Sequence, residues 1–312
     1  MSIVSSLIST VGAVVCCGFL FKLINIIVKL FFTPPTNWSK YGAKKGSWAL
    51  VTGSTDGIGK EFAFQLAKKG FNIMLVARNK DKLQTTKDQV LKECRSTVEV
   101  ETVQFNFAES GKFEMLADAL RGKNILVLIN NVGVSHDHPE YFEETSFQSL
   151  ETMVNVNVLN TIRITRLLLP RMLDQKTGLI LNIGSFSGET PIPLLQTYSA
   201  SKAFLKTWSL SLAAEVWEKG VEVQLLNTYF VVSNMSKYRR PNIFVPTPKA
   251  YVQAAMRCAG QSDFITPYPS HALIKVAMDL VPSWALTVYN KGLMRKTRAR
   301  ALAKATAAGK AA

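Results

Sequence analysis

Tyr198 and Lys202 stand four residues apart in the run Tyr198-Ser199-Ala200-Ser201-Lys202, a spacing that puts both on one face of a helix. A free phenol titrates at roughly 10, too high for ready proton exchange at neutral pH. A neighbouring ammonium favours the phenolate and moves that value towards the working range. Alone, the pair is a common accident in helices. Its weight comes from Ser185, which lies 13 residues upstream at the end of a strand-like run. Ligands meet an open α/β sheet at the carboxyl ends of its strands.

A second constellation lies near the start of the domain. The apolar run Trp48–Thr52 leads into Thr52-Gly53-Ser54-Thr55-Asp56-Gly57-Ile58-Gly59, and a helical pattern follows. Glycines let a backbone turn tightly and approach a pyrophosphate, while the helix N-terminus offers N–H donors and partial positive charge. The residues of this loop, Thr52, Gly53, Ser54, Asp56, Gly57, Ile58 and Gly59, are the candidate dinucleotide-binding set. The next strand-like run ends at Ala77-Arg78. A carboxylate there would suit the ribose 2′-hydroxyl of NAD; the Arg78 cation matches a 2′-phosphate, so the expected cofactor is NADPH.

These residues need a frame. Runs rich in Val, Ile and Leu at Trp48–Thr52, Asn72–Ala77, Val98–Phe105, Ile125–Asn130, Leu179–Gly184 and Val221–Leu226 alternate with helical patterns at Lys60–Lys69, Lys80–Glu93, Lys112–Arg121, Phe147–Leu173 and Ser199–Lys219. Near-continuous apolar strands are covered on both faces. The alternation predicts a doubly wound parallel sheet of Rossmann type over residues 47–266.

Charge and hydropathy describe the ends. The chain has 312 residues and a net charge of +15. Residues 1–45 carry five lysines and no acid, and residues 291–312 carry seven basic groups and no acid. The central domain is nearly neutral, which argues against nucleic acid as partner. Basic flanks beside apolar segments suit a membrane surface. Ile3–Phe21 is an uncharged run of 19 residues, about enough to cross a ~30 Å hydrocarbon core. It lacks the positive start and short apolar core of a cleaved signal. The expectation is a retained anchor over residues 1–33, a basic linker over 34–46 and, with every nearby lysine on the C-terminal side, a cytosolic domain. The sequons at Asn37 and Asn234 would then stay unmodified. Residues 267–293 read either as a helix packed on the domain or as a segment dipping into the membrane interface. The Ala-rich basic tail beyond Lys291 reads as a disordered extension, with Lys310 in an incomplete dilysine signal. Cys16, Cys17, Cys94 and Cys258 show no metal spacing, and His136-Asp137-His138 lacks a third ligand nearby, so no metal site is expected.

Taken together, the stretch from Trp48 to Ser233 resembles the short-chain dehydrogenases/reductases. The glycine loop, the turn Asn130-Asn131-Val132-Gly133, Asn157, Ser185 and Tyr198…Lys202 stand in that family's order and spacing. The anchor, Ser135-His136-Asp137-His138-Pro139 and the stretch Tyr229-Phe230-Val231 with Met235-Ser236-Lys237 are similar to its microsomal branch that reduces very-long-chain 3-oxoacyl-CoA, in a fungal pattern. The resemblance implies an NADPH-dependent ketoreductase of fatty-acid elongation in the endoplasmic reticulum membrane, with a long-chain acyl-CoA substrate and other elongase components as partners. It implies a catalytic set of Asn157, Ser185, Tyr198 and Lys202. Tyr198 is the general acid, Ser185 a hydrogen-bond donor to the carbonyl oxygen, Lys202 the tuner of Tyr198 and holder of the nicotinamide ribose, and Asn157 the holder of a relay water. It adds Asn106, Asn131, Val231 and Ser233 to the cofactor set and a substrate lid over about 230–264, where Tyr238, Arg239 and Arg240 are candidates for CoA phosphates or the membrane surface. Asn106 replaces the family's usual aspartate, Thr228-Tyr229 its Pro-Gly, and Ser233 its threonine. The competing readings are a 17β-hydroxysteroid dehydrogenase on the same scaffold and a non-catalytic membrane scaffold. Tyr198 and Lys202 together argue against the latter.

Overall fold

A computed structural model describes residues 3–94, 97–109 and 113–309. Its centre is a seven-stranded sheet in the order β3-β2-β1-β4-β5-β6-β7, with every pairing parallel. The strands are β1 (Trp48–Thr52), β2 (Asn72–Ala77), β3 (Val100–Gln104), β4 (Ile125–Asn130), β5 (Gly178–Ile183), β6 (Val221–Leu226) and β7 (Phe264–Ile265). β3 is shorter than its apolar run, and β7, two residues long, falls at the end of the stretch expected as lid.

Strands β1, β2, β4, β5 and β6 are buried on both faces, as their composition requires, whereas the edge strand β3 exposes Thr102 and Gln104. On one face Ala49, Val51, Ile73, Leu75 and Ile129 pack with Phe62 and Leu66 of α2 (Gly57–Lys68), Leu83 and Val90 of α3 (Lys80–Glu93) and Tyr251 of α8 (Pro248–Arg257). On the other, Leu50, Met74, Leu128 and Ile180 meet Leu116 of α4 (Phe113–Leu120), Ile164 and Met172 of α6 (Asn160–Asp174) and Ala213 of α7 (Gln196–Val216). The helix expected to run unbroken from Phe147 to Leu173 is three pieces: α5 (Phe147–Val154), a π-helical turn at Asn155–Leu159, and α6.

The ends depart from expectation in two places. Residues 34–46 are no free linker. Trp38, Tyr41 and Ala43 are buried in the core beside Phe71, and both Lys40 and Tyr41 pair with Glu222 of β6. The tail is helical: α10 runs over Ser283–Gly309, as its alanines and long basic side chains favour. Lys310 and the end of the dilysine pattern lie outside the described residues, as does Lys112 at the start of its predicted helix. At the other end, α1 (Ile3–Ile27) continues through a π-helical turn at Val28–Phe32. Ser5–Phe32 is long and apolar enough to cross a membrane. After β7, α9 (Pro269–Asp279) and α10 meet at a bend of 119°.

Candidate active site

The carboxyl ends of β1 and β4 are tied together by two side chains. Thr52 is buried, and its hydroxyl accepts from the N–H groups of Asn131 at 3.0 Å and Val132 at 3.1 Å while donating to the Ile129 carbonyl at 3.2 Å. The Asn131 amide donates to the carbonyls of Thr52 at 2.9 Å and Gly53 at 3.1 Å. Gly53 and Gly57 take left-handed backbone angles, φ 63° and 53°, which only glycine adopts freely. A Cβ on Gly59 would stand 2.3 Å from the Asn131 amide nitrogen and 2.4 Å from the Gly53 carbonyl oxygen. α2 therefore begins at Gly57, inside the loop. Asp56, its N-cap, makes no side-chain capping bond, so N–H donors of the first turn remain for an anion. Ser54 is buried under β2, and Ile58 packs on the core.

A cradle of this shape with free N–H donors fits a pyrophosphate. The far side fits the rest of a dinucleotide. Arg78 stands exposed past β2 and lines a cleft with Asn79, Gln104, Phe105, Asn106 and Glu109. The Asn106 amide donates to Glu109 at 2.9 Å, and its oxygen accepts from the Ala108 N–H at 3.2 Å. The segment after β6 closes over the loop. Asn234 donates to Asp56 Oδ2 at 2.8 Å, and Ser233 sits against Gly57 while bonding Ser236. The Val231 side chain is in the core, and its carbonyl accepts from the Ser236 hydroxyl at 2.6 Å.

The chemical residues gather at the ends of β4 and β5. The Lys202 ammonium, buried on α7, donates to the Ile183 carbonyl at 2.9 Å and lies 6.0 Å from the centre of the Tyr198 ring. The π-helical turn carries Asn157 inward; such turns recur at functional sites. Its amide donates to the Val134 carbonyl at 2.9 Å and Ser201 Oγ at 3.1 Å, and its oxygen accepts from the Val134 N–H at 2.8 Å. A Cβ on Gly133 would touch both Asn157 Oδ1 at 3.5 Å and Lys202 Nζ at 3.7 Å. Ser185 shares a hydrogen bond with Tyr198 and caps the turn Phe186–Gly188 by accepting from the Ser187 N–H at 3.1 Å. All four residues of the predicted catalytic set thus share one end of the sheet.

The electrostatics run against one expectation. Burial pushes the Tyr198 phenol above its ordinary value, with the Ser185 hydrogen bond pulling the other way. Lys202 was expected to lower it, yet the desolvation of the phenol prevails, and Lys202, itself buried, is pushed down to about 8. The resulting neutral phenol is the form that can give a proton.

A polar seam behind the site was not expected. Asn130 donates to Asn182 at 2.8 Å and Thr165 at 3.1 Å, and Asn182 donates to Ser209 at 2.8 Å. Its signal was an asparagine inside each of two otherwise apolar strands. Behind the serine turn, Glu189 is held by Lys206 at 2.9 Å and by Lys275 of α9 at 3.3 Å. In the loop after β4, neither buried ring nitrogen of His136 is hydrogen-bonded, and burial lowers its pKa.

The model of the short chain dehydrogenase family matches residues 47–243, more than half of the chain. This chain is a member of that family. Relatives extend the likeness beyond the shared domain. The chain is 41% identical over 320 residues to the very-long-chain 3-oxoacyl-CoA reductase of Mycosarcoma maydis, covering 98% of this chain and 91% of the relative. It is 42% identical to the protein of the same name from Coprinopsis cinerea, covering 91% and 87%. Among solved structures, a short-chain dehydrogenase from Sphingobium yanoikuyae in complex with NADPH superposes with a TM-score of 0.61 at 27% identity, covering 67% of this chain and 83% of its own. A 7β-hydroxysteroid dehydrogenase reaches 0.66 at 23% identity over 73% and 88%, a likeness of fold. As a short chain dehydrogenase, the chain places its family domain on β1 to β6, while α8, β7, α9 and α10 lie outside the match.

Proposed function

We propose that this short chain dehydrogenase reduces very-long-chain 3-oxoacyl-CoA to the 3-hydroxyacyl-CoA with NADPH, the ketoreduction step of fatty-acid elongation. The observation that carries the reading is the likeness to the Mycosarcoma maydis reductase over 98% of the chain. The cluster of Tyr198, Lys202, Asn157 and Ser185 supplies its chemistry.

The glycine loop, the uncapped start of α2 and Arg78 would hold the cofactor, with Asn106, Asn131 and Ser233 beside it. When bound, the nicotinamide supplies the hydride that the ketone carbon accepts. As that carbon is reduced, negative charge gathers on the carbonyl oxygen. Ser185 donates a hydrogen bond to it that strengthens as the charge grows. Tyr198 releases its phenolic proton to the same oxygen, and the product is the alcohol. The Lys202 cation stabilises the phenolate left behind. Asn157 fixes the Val134 main chain and the start of α7 through Ser201, holding Lys202 and Tyr198 in place and positioning a water that returns the proton. The raised pKa of Tyr198 favours this direction, since the acid form is the one populated at neutral pH.

Ser5–Phe32 anchors the enzyme in the endoplasmic reticulum membrane, with the catalytic domain in the cytosol and other elongase components as neighbours. Tyr238, Arg239 and Arg240 stand exposed on the lid, where a CoA phosphate would meet them. The test is substrate choice. Purified full chain given 3-oxostearoyl-CoA and, separately, estrone should oxidise NADPH far faster with the acyl-CoA. A preference for the steroid would overturn the substrate assignment.

A further inference from the structure

Helix α9 has its surface the wrong way round for water. Its inner side is seated in the protein: His271, Ala272 and Val276 are buried, and His271 Nε2 donates to the Phe244 carbonyl at 3.1 Å. Its outer side presents Leu273, Ala277 and Leu280, spaced as one helical face and all exposed, Leu273 by 51% and Leu280 by 58%. A helix on a domain surface ordinarily carries polar residues there. The apolar strip continues at both ends. Beside its start lies the lid tip, with Ile243 exposed by 73% and Phe244 by 52%. Past its end the bend carries Val281, Pro282 and Trp284, the last exposed by 72%. A patch this long and contiguous marks an interaction site.

We infer that this face of α9, with the bend into α10, rests in one leaflet of a lipid bilayer as a second membrane contact. Three observations choose lipid over a protein partner. First, α1, the apolar helix long enough to span, makes contact with α9 itself. The helix that bears the exposed strip therefore lies against the segment assigned to the membrane, on which the inference leans. Second, the charge is one-sided. From Leu280 to Gly309 there is no acid, while Lys291, Arg295, Lys296, Arg298, Arg300 and Lys304 follow the apolar bend. Basic residues just behind an apolar segment are drawn to anionic headgroups. The one acid at the bend, Asp279, is paired with Lys275 at 2.5 Å. Third, among the described residues the polar ties of α10 to the rest of the domain lie beyond the bend. Asn290 donates to Thr190 Oγ1 at 3.3 Å, and Arg298 pairs with Glu144 at 2.7 Å. The bend itself is free to enter a membrane interface in the manner of an interfacial helix. Seated so, the lid tip meets the leaflet, and a long acyl chain passes from lipid to the site without crossing water.

The test uses the full chain in vesicles of phosphatidylcholine and phosphatidylserine. Cys16 and Cys17 are replaced by Ser. A single environment-sensitive dye is placed at Leu280→Cys or, as a control, at the exposed Glu114→Cys on α4. The expected result is a blue-shifted emission at position 280 that nitroxide-labelled lipid quenches strongly, with water-like, unquenched emission at position 114. Water-like emission at 280 would overturn the inference. So would a blue shift that lipid nitroxides leave unquenched, since that face would then be covered by protein, a second copy included. The readout requires no turnover, so it stands or falls separately from the substrate assignment.

Discussion

A Cβ placed on Gly188 would lie 2.6 Å from the main-chain carbonyl carbon of Lys202, so the turn that follows Ser185 rests directly on the helix that carries the lysine. Ser199 Oγ reinforces the contact by donating to the Ser187 carbonyl at 2.6 Å. The spacing between serine and lysine is thus set by a glycine with backbone on its other side, and neither wall can yield as a flexible side chain would. Gly188→Ala should destabilise the protein by about 1–3 kcal/mol, the usual effect of overpacking, and lower turnover beyond what the stability change explains. Thermal unfolding and kcat on the same preparation check this; wild-type turnover would show that the contact does not set the site.

Lys202 makes a prediction about pH. Burial depresses its folded pKa to about 8 from the ordinary lysine value of 10.5. Below pH 8 both states carry the proton, and the penalty of burying the charge is fully present. Between about 8 and 10.5 the unfolded chain binds more protons than the folded one, so stability rises with pH across that window. Lys202→Met removes the effect. The difference in unfolding free energy between wild type and variant should shift in favour of wild type by about 3 kcal/mol from pH 8 to 10.5. A difference that stays flat across the window would contradict the burial of a charged Lys202.

Arg78 is exposed and lines the cleft past β2, so replacing it should alter affinity and leave the fold alone. Arg78→Ala should raise KM for NADPH by roughly 10- to 100-fold, the loss of a charge-assisted contact of about 1.5–3 kcal/mol, and change KM for NADH little. Steady-state kinetics with both cofactors decide it. Equal losses for both would remove Arg78 from phosphate recognition.

Asn131 joins two loops through the Thr52 and Gly53 carbonyls. Asn131→Ala leaves both acceptors short of a donor, which costs about 1–3 kcal/mol. It should also raise KM for NADPH, because the glycine loop loses its tether. Unchanged stability and KM together would show that the loop holds its shape unaided.

The strands were legible because a sheet covered on both faces demands unbroken runs such as Ile125–Asn130, and the glycine loop because few other structures need three glycines from the end of a strand through the first turn of a helix. Other features depended on tertiary contact. Asn155-Val156-Asn157-Val158 reads as ordinary helix, and nothing local announces the π-helical turn that swings Asn157 inward. Residues 34–46 looked like a linker because Lys40, Lys44 and Lys45 outweigh Trp38 and Tyr41 in composition, whereas the two aromatics go to the core. The raised pKa of Tyr198 was not legible for a similar reason. The lysine was visible in the sequence, and the desolvation that outweighs it was not.

The most direct measurement is the turnover of Tyr198→Phe with 3-oxostearoyl-CoA, taken beside its NADPH affinity by fluorescence titration. Loss of a positioned general acid lowers kcat by roughly 10²–10⁴-fold, and the variant, which keeps the half-buried ring, should leave the NADPH Kd nearly unchanged. Turnover within a few fold of wild type would mean that the proton comes from elsewhere.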